Sequence, residues 1–278
     1  MNQFTKISGE IAVSDGVPVP VVPQFATAMT LIVGGTSGVG LASAIGLADA
    51  GVRKLCIVGR DRARGEAARA KVAAHCPEAD VLWIGADANS AADATAVCRR
   101  VADRFGGIDI LVNSTVGPHA PGLLKDQPIE SLEEMLVQLA MGPMLMSRAA
   151  LPYMVARKSG VILNVASDAA KLATPGETVL GAAMAAIVMF SRALAIEAKR
   201  DGIRVNALTP SLIEGTLTHA RMQESPFASK LFEKAAKMAS LGVAVADDLA
   251  DLAVFLASPA AKKITGQAIS ANGGISAA

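Results

Sequence analysis

The chemistry most legible in this chain is phosphate binding. Glycines at 34, 35, 38 and 40, with Thr36, Ser37 and Val39 among them, follow the apolar run 31–33 and precede a segment of helical period, 41–48. Glycines in a turn between a strand and a helix let backbone N–H groups approach a pyrophosphate at the positive helix end, where a Cβ would obstruct it. A tight turn without a ligand has the same composition. Its position in the first strand-turn-helix unit of an alternating chain is what points to a dinucleotide. The second apolar run ends in Val58-Gly59-Arg60-Asp61. An acidic residue at that tip would bind the adenosine ribose hydroxyls of NAD(H). Arg60 can instead pair with a 2′-phosphate, so NADP(H) is expected over NAD(H), unless Arg60 is only a solvated charge of the next helix. Asp87, just past the third run, can accept from an adenine amino group or cap the helix that begins near Ser90.

The frame that must position these residues is also readable. Short apolar runs at 31–33, 55–58, 81–84, 108–112, 161–165, 203–207 and 267–270 alternate with alanine-rich stretches of helical period. Continuous apolar strands separated by helix-length segments predict a parallel sheet covered on both faces, a doubly wound α/β fold of Rossmann type with seven strands, in one domain from 28 to 278. Residues 1–27, with prolines at 18, 20 and 23, read as an extended arm, expected to lie on a neighbouring subunit because of its valines. Residues 215–241 have no strand signal and read as a helical flap over a pocket.

Composition removes several alternatives. With 26 basic against 25 acidic residues there is no clustered charge to draw nucleic acid or an anionic membrane surface. Cys56, Cys76 and Cys98 are too few and too far apart for a disulfide framework or a metal knuckle, so no metal is expected and a reducing cytoplasm is the expected compartment. No uninterrupted apolar run reaches spanning length, and the N-terminus lacks the order of a secretion signal.

From about 28 to 275 the chain resembles the short-chain dehydrogenase/reductase (SDR) family. The glycine loop, Ile110-Leu111-Val112-Asn113, Ile203-Arg204-Val205-Asn206-Ala207 and the tail from Thr265-Gly266-Gln267 to Asn272-Gly273-Gly274 carry the resemblance. Val33 replaces the family's usual threonine, and Ser114-Thr115-Val116 stands where Asn-Ala-Gly usually lets the backbone approach the nicotinamide half. The resemblance implies that Asn113 lies at the cofactor and that Ser167, in Asn164-Val165-Ala166-Ser167, binds the substrate oxygen. It also implies a tyrosine acid, a lysine one helical turn later and an asparagine that holds a relay water. At these positions stand Leu180, Met184 and Leu139. Tyr153, the only tyrosine, falls on the helix before the fifth strand, where the family has a structural aromatic.

Leucine and methionine cannot transfer a proton, and loss of a positioned acid alone lowers rate by about 10²- to 10⁴-fold. The three polar groups are replaced together, so none is left stranded. One expectation is a non-catalytic SDR-like subunit that still holds NADP(H). It would pair with itself or with an intact SDR paralogue through the helices near 130–157 and 177–200, where Met135, Met141, Met144, Met146 and Met189 suit adaptable contacts or fill the core. A second is an NADP-dependent oxidoreductase with another donor: Asp168, Lys171, Glu177 or His119. A third is a non-redox lyase, dehydratase or isomerase acting on a small apolar substrate with Glu214, Thr216 or His219.

Overall fold

A computed structural model describes residues 23–278. Its sheet is built from β1 (Met29–Val33), β2 (Lys54–Val58), β3 (Asp80–Ile84), β4 (Ile110–Asn113), β5 (Gly160–Val165), β6 (Ile203–Leu208) and β9 (Ala268–Ile269). All pairs are parallel, in the order β3-β2-β1-β4-β5-β6-β9. The doubly wound parallel sheet therefore stands as expected from the apolar runs. Residues 1–22 of the expected arm lie outside the described residues, while Gln24–Thr27 form a turn whose Phe25 packs on the core. The fold thus begins before residue 28.

Helices α1 (Gly38–Asp49), α2 (Arg62–His75), α3 (Ala91–Phe105), α4 (Ser131–Arg157), α5 (Thr178–Ala198) and α8 (Ala246–Ala257) cover the two faces. One core joins α1, α2 and α8 to the sheet through Leu47, Val72, Leu249 and Leu256. The opposite core joins α3, α4 and α5 through Val101, Met146, Met154 and Leu194. Truncating any one of these leucines to alanine would cost about 3 kcal/mol. Tyr153 packs on this second core, away from the cavity described below.

Two expectations need correction at their ends. β4 starts at Ile110, because Asp109 is used differently: its N–H donates to Met29 O, and its carboxylate accepts from Met29 N and from Arg157 Nε. A further strand pair, β7 (Ile213–Glu214) with β8 (Ala244–Val245), frames the flap helices α6 (Leu217–Glu224) and α7 (Pro226–Ala236). Two-residue strands leave no periodic signal. The helical stretch Thr178–Asp201 is long and apolar enough to cross a membrane by length and composition. Its Ala183, Ile187, Ser191 and Ala195 are buried against the sheet side, which accounts for the apolarity.

Strand register then sets the site. Val33 pairs with Val58 and with Asn113, Asn113 with Asn164, and Val165 with Leu208. The residues that leave the carboxyl ends of β1, β2, β4 and β5 therefore emerge side by side. The order reverses at β1, with β2 on one side and β4 on the other, and a crevice opens there.

Candidate functional site

That crevice is a cavity of about 520 Å³. Its first end is made by the β1-α1 turn: Gly34, Thr36, Ser37, Gly38 and Val39 line it. Gly34 has φ +78°, and a Cβ there would fall 2.3 Å from Ser114 O. Gly40 does not line the cavity. It packs under the turn, where a Cβ would fall 2.3 Å from Gly34 O. Gly38 has φ +50° and room for a Cβ, the nearest atom being Thr216 Cγ2 at 3.6 Å, so the flap begins directly over the turn. The N-terminus of α1 faces the same space, with no acidic side chain in its first turn. These are the features that a pyrophosphate requires.

Arg60 lines the cavity and is exposed, with no hydrogen bond or ion pair among the described residues. Arg64, one turn into α2, lines it too and meets Asp61 at 3.6 Å. Arg64 escaped the sequence reading, although its spacing from Arg60 on a helix start was the available signal. Asp87 lines the cavity as well, its Oδ1 accepting from Asn89 N at 3.0 Å. It is not the helix cap. Ser90 holds that position, accepting from Asp93 N. Asn89 adds a buried Oδ1 with no protein partner, an acceptor left for a ligand. Asn113 lies outside the lining. It is fully buried and donates to Asn164 Oδ1 at 2.8 Å, tying β4 to β5 rather than facing the crevice. The glycine cradle, the two arginines and the orphaned amide oxygen fit a nicotinamide dinucleotide of the NAD(P)(H) type.

The second end is built on β5, α4 and α5. Ser167 lies two residues past β5, half-buried, with its Oγ accepting from Ala169 N at 3.2 Å. Leu180 and Met184 lie one turn apart on α5, Leu139 comes from α4, and all three line the cavity with Ser167. Met184 and Leu139 are buried and pack together with Ala166, Ile187 and Leu180 in a single apolar cluster. Val116 lines the cavity from the β4-α4 loop.

Among the alternative donors, Asp168 is committed elsewhere. Its carboxylate accepts from Ser270 Oγ at 2.6 Å, from Asn272 Nδ2 and from Ser276 Oγ at 3.0 Å, and Lys171 Nζ stands 3.4 Å away. Burial alone would raise its pKa, but those hydrogen bonds and the Lys171 charge hold it below the ordinary range. Lys171 donates to Ser270 Oγ and so belongs to the same network. His119 Nε2 meets Gln138 Oε1 at 3.0 Å, and both residues line the cavity. Glu177 also lines it, at the N-cap of α5 and one turn before Leu180. Burial pushes its carboxyl above the ordinary range, partly offset by a hydrogen bond from Thr174. His219 stacks on Phe232 at 4.3 Å, accepts from Gly215 N and meets Gln223, a structural set of contacts within the flap. Thr216 caps α6, and both Thr216 and His219 line the cavity, whereas Glu214 does not. No group of residues that could hold a metal occurs among the described residues.

An Enoyl-(Acyl carrier protein) reductase family description matches residues 33–276. The chain belongs to the short-chain dehydrogenase/reductase family. It is 29% identical over 251 residues to 2-(R)-hydroxypropyl-CoM dehydrogenase of Xanthobacter autotrophicus, covering 90% of this chain and 98% of the relative. It is 34% identical over 256 residues to galactitol 2-dehydrogenase of Agrobacterium fabrum, covering 88% and 96%. Among solved structures, levodione reductase superposes with a TM-score of 0.84 at 28% identity over 90% of this chain and 98% of that one. Those relatives are named as dehydrogenases and reductases, so they support the scaffold and the NAD(P)(H)-binding family. A non-catalytic role is not among the properties they carry.

Proposed function

We propose that this chain is an NADP(H)-binding SDR subunit that no longer performs tyrosine-dependent carbonyl reduction. It would hold the dinucleotide and a small apolar ligand in one cavity and act as a structural or regulatory partner. The observation that carries this reading is the wall formed by Leu139, Leu180 and Met184 around Ser167. A bound nicotinamide supplies or accepts a hydride. The oxygen bound by the Ser167 hydroxyl needs a proton at the same time, and none of the three wall side chains holds one. On the cofactor side, the turn from Gly34 to Val39 would receive the pyrophosphate, and Arg60 with Arg64 the 2′-phosphate. Partner pairing through α4 and α5 is supported by Leu136, Val137, Met189 and Ile196, which are exposed. Met135 and Met146 are buried within the subunit and are not available to a partner. The three free, buried cysteines suit a cytoplasmic setting.

The test compares the wild type with Leu139→Asn/Leu180→Tyr/Met184→Lys. Both should bind NADPH in a fluorescence titration, and only the variant should reduce a panel of ketones and diketones. Wild-type turnover as fast as that of the variant would sink the proposal.

Glu177 favours a second reading, an oxidoreductase with a displaced acid. It is a carboxyl lining the cavity one turn from Leu180, and burial raises its pKa above the ordinary range. On this reading, wild type consumes NADPH with an enoyl thioester or ketone, and Glu177→Gln removes that activity without changing NADPH affinity.

A further inference from the structure

Beyond the Leu139-Leu180-Met184 wall the cavity is roofed by the flap. Leu217, Met222, Phe232 and Met238 line it from above, with Leu172 and Leu212 opposite. These side chains make the walls at this end mainly apolar, which favours an apolar body in the occupant. The charges at this end are unequal. Asp168 is neutralised by Lys171 and by the hydroxyls and amide around it. Burial shifts the Glu177 carboxyl pKa upward, and Glu177 makes no ion pair with Arg221. Arg221, on α6, is half-buried and lines the same space, yet uses only Nη1, donating to the Gly117 carbonyl at 3.3 Å. Among the described residues no carboxylate pairs with it, and its remaining donors find no protein acceptor. Lys234 stands at the exposed rim of the same end.

An apolar chamber with one unspent guanidinium has a definite complement. We propose that the cavity binds an amphiphile, an apolar chain or ring ending in a carboxylate, with Arg221 pairing the carboxylate and the wall and flap covering the apolar body. This rests on the reading of the cavity as an apolar ligand site and adds the polar group that the ligand must carry. A planar guanidinium suits a carboxylate because two parallel N–H donors meet two oxygens. The contact to Gly117 already bridges the flap to the β4-α4 loop, so a carboxylate on Arg221 would be bound at the point where the flap meets the body of the subunit. The alternative anion is the diphosphate of the dinucleotide. Its place is the Gly34–Val39 turn, over which Thr216 begins the flap, so the NADPH affinity of an Arg221 variant decides between the two anions.

The test is calorimetric titration of the full chain, saturated with NADPH and without it, using decanoate, methyl decanoate and decanol. Decanoate should bind at least about 10-fold more tightly than the ester or the alcohol. Arg221→Gln should abolish that preference, leaving ester binding and NADPH affinity unchanged, and Arg221→Lys should restore part of it. Equal affinity for all three probes overturns the carboxylate anchor while the apolar site stands. No binding of any probe overturns the apolar site and the anchor together. A loss of NADPH affinity in Arg221→Gln with the decanoate preference intact assigns the arginine to the dinucleotide and overturns the proposal.

Discussion

The two ends of the cavity are constrained by different parts of the chain. At the dinucleotide end the constraint lies in the backbone. Gly34 and Gly40 sit where a Cβ would enter the van der Waals shell of a carbonyl oxygen, and Gly34 and Gly38 have positive φ. No neighbouring side chain can move to relieve a clash with backbone. At the Ser167 end the constraint lies in side chains, and helices α4 and α5 present Leu139, Leu180 and Met184 without any change in the sheet that carries them. Backbone geometry resists piecemeal change, whereas a set of packed side chains can change together and remain satisfied. The same fold can therefore keep a cofactor cradle while the chemistry beside it is exchanged.

The largest effect that would test this contrast is Gly40→Ala. The added methyl meets Gly34 O at 2.3 Å, so the turn must open. A destabilisation of about 3 kcal/mol is expected, lowering Tm by about 10 °C and abolishing NADPH binding. Gly215→Ala is the control, with φ +73° and nothing within 4 Å of the new methyl. It should cost about 1 kcal/mol through backbone strain alone. Equal melting curves for the two variants would break the argument that the cradle is sterically dictated.

A smaller effect concerns the polar network behind the apolar wall. The Asp168 carboxyl is held below its ordinary pKa because its hydrogen bonds and Lys171 outweigh burial. A depressed native pKa contributes stability that is complete above the unfolded value, about 3.9, and is lost as pH falls through the native value. Asp168→Asn should thus be less stable at pH 7 by about 2 kcal/mol, and its stability should depend less on pH on the acid side. Urea unfolding at pH 7 and pH 3.5 measures both. An unchanged acid limb would show that Asp168 does not anchor Ser270, Asn272 and Ser276 to the Ser167 loop.

What the sequence made legible follows from the same division. The buried strands are apolar on both faces, so runs such as 55–58 and 161–165 stood out, and the glycine turn was identified by its place between a strand and a helix. Ser167, Leu180, Met184 and Leu139 were placed by family motifs of fixed spacing, and the cavity brings them together. Asn113 misled because a motif asparagine is equally suited to face a cofactor or to cross-link strands. Its partners Asn164 and Ser147 come from distant segments, and spacing cannot show them. Arg221, Asn89 and the β7-β8 pair were hidden for a related reason. Each acquires its role from a tertiary neighbour rather than from a local pattern. The commitment of Asp168 to Ser270, Asn272 and Ser276 spans more than a hundred residues, and in sequence it looked like a free donor beside Ser167.

The smallest expected effect sharpens the cofactor end itself. Arg60 is exposed, and Arg64 shares its side of the cavity, so neither alone carries the full recognition of a 2′-phosphate. A charge-assisted contact at an exposed site is worth about 1.4 kcal/mol, a factor of about 10 in affinity. Arg60→Ala should therefore weaken NADPH by about 10-fold and leave NADH unchanged, and adding Arg64→Ala should weaken NADPH further. The ratio of the two affinities is the informative quantity, because the glycine turn contributes equally to both cofactors and cancels from it. A ratio that does not move in the double variant would mean that the arginines are solvated charges of α2, and that selectivity between the two dinucleotides is not written at the end of β2.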